Sequence, residues 1–110
     1  MPASSFKVLG QVATSITTEA DLYTVPASTS TVISTIIVCN RSATPATFRI
    51  SISLTGGATA DKDYLYYDVA IGSNDTFAST IGITLATTDK VRVYASTANL
   101  SFSLFGQEIT

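Results

Sequence analysis

Histidine and tryptophan are absent from this chain, cysteine and methionine occur once each, and only 13% of its 110 residues are charged. Globular proteins average about 25% charged residues. Each shortage excludes something. Without histidine, the side chain that most often moves protons near neutral pH is missing, so acid–base catalysis would fall to carboxylates alone. A lone Cys39 permits no internal disulfide, which fits folding in a reducing cytosol. With no histidine to deprotonate it, Cys39 reads as a small core residue rather than a nucleophile. The six Lys and Arg are scattered in a chain of net charge −2, so the basic stripe on which nucleic-acid binding rests is missing. No apolar run nears the ~20 residues of a membrane helix. The first residues, Met1 to Lys7, contain no apolar segment of the secretion-signal kind. Neither a nucleic acid nor a membrane is expected as a partner.

What the chain does have is hydroxyl and grease: 18 Thr, 14 Ser and 45% hydrophobic residues, with a mean hydropathy of +0.35. Residues 1–110 are the size of one domain. The surplus apolar surface of so small a chain is most simply covered by self-association or by docking on a larger assembly.

Period-two alternation with turn signals between the runs predicts about eight short strands. Phe48, Ile50, Ile52 and Leu54 alternate with polar residues, and Gly56-Gly57 follows as a turn. Leu65, Tyr67, Val69 and Ile71 form the next row expected to point inward. Phe77, Ile81, Ile83 and Leu85 come after Gly72 to Asp75, and Thr87 to Lys90 reads as a tight hairpin into Val91, Val93 and Ala95. Leu100, Phe102 and Leu104 close the series. Upstream, Phe6, Val8 and Val12 belong to a first strand, and Leu22 to Val25 to a short one. Ser30 to Asn40 is apolar on both parities, as a strand covered on both faces would be. The expected fold class is all-β: an antiparallel two-sheet β-sandwich, jelly-roll or immunoglobulin-like. The Cys…Trp…Cys spacing of immunoglobulin domains is absent. Val8-Leu9-Gly10-Gln11 echoes Leu104-Phe105-Gly106-Gln107, which suggests neighbouring first and last strands, each kinked at its glycine.

The candidate reactive groups are few. Asp61, Asp75 and Asp89 fall in predicted turns, where aspartate caps the backbone. Asp61-Lys62-Asp63 lacks the further spaced ligands of a calcium loop. Asn40, Asn74 and Asn99 all lie in Asn-x-Ser/Thr triplets, which a Ser- and Thr-rich chain produces by chance. No catalytic residue, metal or cofactor is expected. If Leu65 and Tyr67 point inward, Tyr64 and Tyr66 point outward; by the same parity Arg92, Tyr94 and Phe105 are external. Exposed aromatics beside arginine are typical of interface cores. With Ile33 and Ile37 of the doubly apolar strand, these seven residues form the expected interface set. A sugar platform on the tyrosines is the rival use, weakened by the absence of tryptophan.

Leu22-Tyr23-Thr24-Val25-Pro26-Ala27, Val32 through Asn40, Ala46-Thr47-Phe48-Arg49-Ile50 and Phe102-Ser103-Leu104-Phe105-Gly106 together resemble a family of small virion proteins of tailed bacteriophages, especially phages of aquatic bacteria and cyanobacteria. The resemblance implies a β-sandwich made in the host cytoplasm and carried on the virion. Its implied role is a capsid decoration (cement) protein, a homotrimer at three-fold and quasi-three-fold sites of the head that contacts the major capsid protein. Asn40 to Pro45 and Gly56 to Asp63 are candidate contact loops. Related modules imply alternatives: a tail, neck or baseplate component, or a receptor- or carbohydrate-binding fibre module.

Overall fold

Threonine, valine, isoleucine and aromatics favour a pleated, half-buried surface, and the chain becomes strand almost wherever they alternate with small polar residues. The computed structural model describes residues 4–110. They form β1 (Ser4–Ala13), β2 (Ala20–Thr24), β3 (Ser30–Asn40), β4 (Ala46–Ser53), β5 (Tyr64–Ile71), β6 (Thr76–Leu85), β7 (Lys90–Ala95) and β8 (Leu100–Ile109). Two short 3₁₀ turns, Leu54–Gly56 and Asp61–Asp63, lie between β4 and β5.

The strands build two four-stranded sheets, ordered β1-β8-β3-β6 and β2-β7-β4-β5, with every pairing antiparallel. Among the described residues, only β4 and β5 are consecutive strands paired in one sheet; every other connection crosses between sheets. That is the jelly-roll order, and it resolves the choice left open by periodicity. The expected hairpin at Thr87 to Lys90 is corrected accordingly: β6 and β7 lie in opposite sheets, so this turn arches over the sandwich. Asp89 fastens the arch, its carboxylate accepting from the backbone N–H of Ala86 at 2.9 Å and of Thr55 at 3.0 Å.

The core fills from both inner faces. Phe48 on one sheet meets Phe102 on the other with ring centroids 6.4 Å apart and Phe77 at 5.1 Å, amid Ile33, Ile36, Val38, Ile50, Val91, Val93 and Leu104. Strand β3 is central, between β8 and β6, and its inward residues are Ile33, Ile36 and Val38. That spacing is not period two, because Ser34 is an extra residue against β8: Ile33 pairs with Gly106 and Thr35 with Phe105. An equivalent insertion falls at Leu9 in β1, between Val8 and Gly10. The first and last strands are neighbours, as their sequence echo suggests. The kink, however, sits at Leu9 rather than at the glycines.

Candidate interaction surfaces

The exterior has two broad faces of opposite character. On the β2-β7-β4-β5 sheet, charge is concentrated and internally paired. Opposite Arg49, strand β5 places two residues, since Phe48 pairs with Val69 and Ile50 with Tyr66. This two-against-one count is a β-bulge, and Asp68 takes its left-handed position at φ 49°, a conformation aspartate tolerates better than most residues. The bulge sets Tyr67 and Asp68 together around Arg49. The guanidinium donates to both Asp68 carboxylate oxygens, at 2.7 and 3.3 Å. It also lies between two rings, 4.2 Å from the Tyr67 centroid and 4.5 Å from that of Tyr94. Tyr64 meets Tyr67 edge-to-face at 4.9 Å. Arg49 holds the Asp68 carboxyl below its usual range, and Asp68 in turn raises the guanidinium.

Further along this face, Arg92 donates to Asp21 at 2.9 Å, to Ser53 Oγ at 3.1 Å and to the backbone carbonyls of Gly56 and Gly57. Lys90 reaches the other oxygen of Asp21 at 2.8 Å. The Asp21 carboxyl is lowered chiefly by Lys90 and then by Arg92. Arg92 thus fastens the turn after β4 to β7 and β2.

Among the described residues, the outer face of the β1-β8-β3-β6 sheet carries no charged side chain. Reading across the paired rows, its residues run Phe6–Gln107–Val32–Thr84, Val8–Phe105–Thr35–Thr80, Gln11–Ser103–Ile37–Ala78 and Ala13–Ser101–Cys39–Thr76. Phe6 is 81% exposed and Val8 49%. A shallow dent beside β1, along Gln11–Ala13 and Ser101–Ser103, is lined by amide, hydroxyl and apolar groups.

Several expectations are corrected by these positions. Ile33 is fully buried in the core. Tyr66 points inward, packing 5.4 Å from Phe77 and sharing a 2.7 Å hydrogen bond with Ser79 across the sandwich. Leu65 and Tyr67 are instead the exposed members of β5, at 45% and 57%. The cause is two insertions in β5, one at Asp68 and one at Leu65 between the pairs Ile50–Tyr66 and Ser51–Tyr64, which change the side-chain parity twice and leave Tyr64 outside. Cys39 is half-buried on the outer face rather than in the core. Tyr64, Tyr94 and Arg92 share the charged face, whereas Ile37 and Phe105 share the uncharged one, so the set does not form one patch. Arg49 and Tyr67 were missed; an aspartate in mid-strand, in Tyr66-Tyr67-Asp68-Val69, is the signal that marks the bulge.

At one end of the sandwich, polar groups close the core. The Tyr23 hydroxyl bonds to Thr31 Oγ1 at 2.8 Å and donates to Glu108, which also pairs with Lys7. Burial first, then the Glu108 carboxylate, pushes the Tyr23 phenol from 10.0 up to about 12. Lys7 first, then Tyr23, holds Glu108 below its ordinary 4.5. Tyr23 keeps its proton more tightly folded than unfolded, so its contribution is whole below pH 10 and drains as pH rises to about 12. Glu108 acts oppositely: its contribution is whole above 4.5 and drains as pH falls through its depressed value. Urea melts of wild type and Tyr23→Phe between about pH 8 and about pH 12 are expected to show a steep alkaline decline only in wild type. Parallel declines would remove Tyr23 as the cause.

Among the described residues no three His, Cys, Asp or Glu side chains cluster as metal ligands, and no helix is long and apolar enough to cross a membrane. The strand order defines a jelly-roll sandwich. No family model matches the sequence, and no curated protein matches it.

Among solved structures, the fold is similar to chains of virus particles. The infectious bursal disease virus Gx strain matches with TM-score 0.60 and 13% identity, over 99% of this chain and 32% of the viral one. The VP2 subviral particle of infectious bursal disease virus matches with TM-score 0.59 and 13% identity, over 98% and 32%. The chain therefore spans about a third of those viral chains. The acid-stable capsid of Helicobacter pylori bacteriophage KHP30 matches with TM-score 0.52 and 14% identity, over 100% of this chain and 94% of that one. These three come from virus particles, and the likeness is one of fold.

Proposed function

We propose that this protein is a structural component of a bacteriophage virion, a decoration (cement) protein that binds the assembled head from outside as a homotrimer at three-fold and quasi-three-fold sites. The observation that carries the reading is the end-to-end match in fold to a phage capsid protein of nearly the same length. The exterior agrees with it, offering broad faces for protein contact and no constellation of groups for chemistry. Residues 1–110 act as one domain in this reading.

Cement action needs only surplus surface energy. Covering about 800 Å² per subunit at ~25 cal/mol per Å² gives a gross of roughly 20 kcal/mol. Ordering and lost tumbling offset much of it. Several subunits gripping one lattice make a modest surplus sufficient.

The glycan-binding alternative finds less support. Arg49 lies over the rings of Tyr67 and Tyr94, and Tyr64 packs against Tyr67, so the faces a sugar would stack on are already in use.

Phage heads prepared without the protein are expected to rupture sooner under heating or osmotic shock and to recover resistance when it is added back. Bare heads that neither bind the protein nor gain from it would end the cement reading.

A further inference from the structure

The uncharged outer face of the β1-β8-β3-β6 sheet leaves Phe6 and Val8 exposed. We propose that it is the surface by which copies of this chain associate with one another. Two observations lead there.

The first is charge. None of the residues along the four paired rows is ionised, whereas the opposite face carries Arg49, Asp68, Asp21, Lys90 and Arg92. A charged partner surface would lose its water against this face and find no counter-charge, a costly arrangement. A second copy of the same face brings no charge to desolvate.

The second is size. Four strands spaced ~4.8 Å apart and about 30 Å long present on the order of 600 Å². Two copies then bury about 1,200 Å², which reaches the range of specific, stable interfaces. Phe6, Val8, Phe105 and Val32 sit in two adjacent rows of it and supply an apolar centre.

The test uses the purified full-length chain. Light scattering is expected to give wild type at least twice the monomer mass, and the value reads directly whether two or three copies associate. The double variant Phe6→Asp/Val8→Asp is expected to fall to monomer mass with its thermal melt retained, because both side chains are exposed. Leu65→Asp, an equally exposed apolar site on the other sheet, is expected to keep the wild-type mass.

A second measurement needs no variant. Cys39 lies on the same face, so its reaction with a maleimide is expected to be at least tenfold slower in concentrated, associated protein than in dilute solution. Monomeric wild type, an undiminished mass for Phe6→Asp/Val8→Asp, dissociation by Leu65→Asp, or a Cys39 rate independent of protein concentration would each overturn the proposal. The inference does not depend on a virion role. Heads that ignore an intact oligomer sink the cement reading alone.

Discussion

Gly106→Ala is expected to cost about 3 kcal/mol of stability and to lower the melting temperature by on the order of 10–20 °C. A Cβ at Gly106 would lie 2.2 Å from the carbonyl oxygen of Val32 and 3.0 Å from the Ile33 Cα. Both are backbone atoms of β3, the strand paired with β8 on that side, while Lys7 of β1 is paired on the other. Strand β8 cannot withdraw from one neighbour without loosening the other. The same substitution at Gly82 is the control, since nothing lies within 4 Å of a Cβ there. Removing a strand glycine at an open position is neutral or slightly stabilising, through the unfolded chain. Denaturant melts of the two variants should therefore diverge. Equal melts would mean that the close approach of β3 and β8 is not a constraint on residue type.

Asn40→Asp is expected to be at least as damaging near neutral pH, costing about 3 kcal/mol or more, although it changes a single atom type. Asn40 ends β3 at 1% exposure and uses its whole amide. Its Nδ2 donates to the carbonyls of Thr44 at 2.9 Å and Gly72 at 3.0 Å, and its Oδ1 accepts from the backbone N–H and hydroxyl of Ser42 at 3.1 and 3.0 Å. One side chain thus ties the β3–β4 loop to the turn that follows β5. An aspartate would replace two donors by an oxygen facing two carbonyl oxygens.

Burial without a cation raises such a carboxyl in the folded state. The sign of the pH effect follows: the deficit is full where the group is ionised and shrinks as pH falls and a proton restores one donor. The stability gap to wild type should therefore narrow in acid, while wild type itself loses the Lys7–Glu108 contribution. A gap that stayed constant with pH would show that Asn40 acts through shape rather than through its donors. The same four bonds leave this amide unavailable as a glycan acceptor in the folded protein.

These two positions show where sequence is informative and where it falls short. The strands themselves were legible, because Phe48-Arg49-Ile50-Ser51 or Leu100-Ser101-Phe102-Ser103 can bury one parity in only one way. The sandwich followed from strand count and turn spacing. Which parity faces inward past a bulge was not legible. Leu9 in β1, Ser34 in β3 and Asp68 in β5 each insert one residue, and each moves the side chains beyond it to the other face. That is why Tyr66 and Ile33 belong to the core and Tyr67 to the exterior. The pairing of Arg49 with Asp68 depends on a sequence separation of 19 and on the β4–β5 register, neither of which alternation encodes. The uncharged face was hidden for the same reason: its residues are drawn from four strands that only topology places side by side.

The inserted residues in β1 and β3 flank the row Val8–Phe105–Thr35 from opposite sides, Ser34 towards Gly106 and Leu9 towards Leu104. Strand β8 alternates without a break between them, so each insertion sets inside and outside for its own strand alone. A one-residue change of length at either insertion hands the side chains on one arm of that strand to the opposite side while the alternation of β8 stays as it is. Lineages sharing this scaffold therefore have a short mutational route to a new contact surface, one that proceeds by counting residues rather than by replacing them.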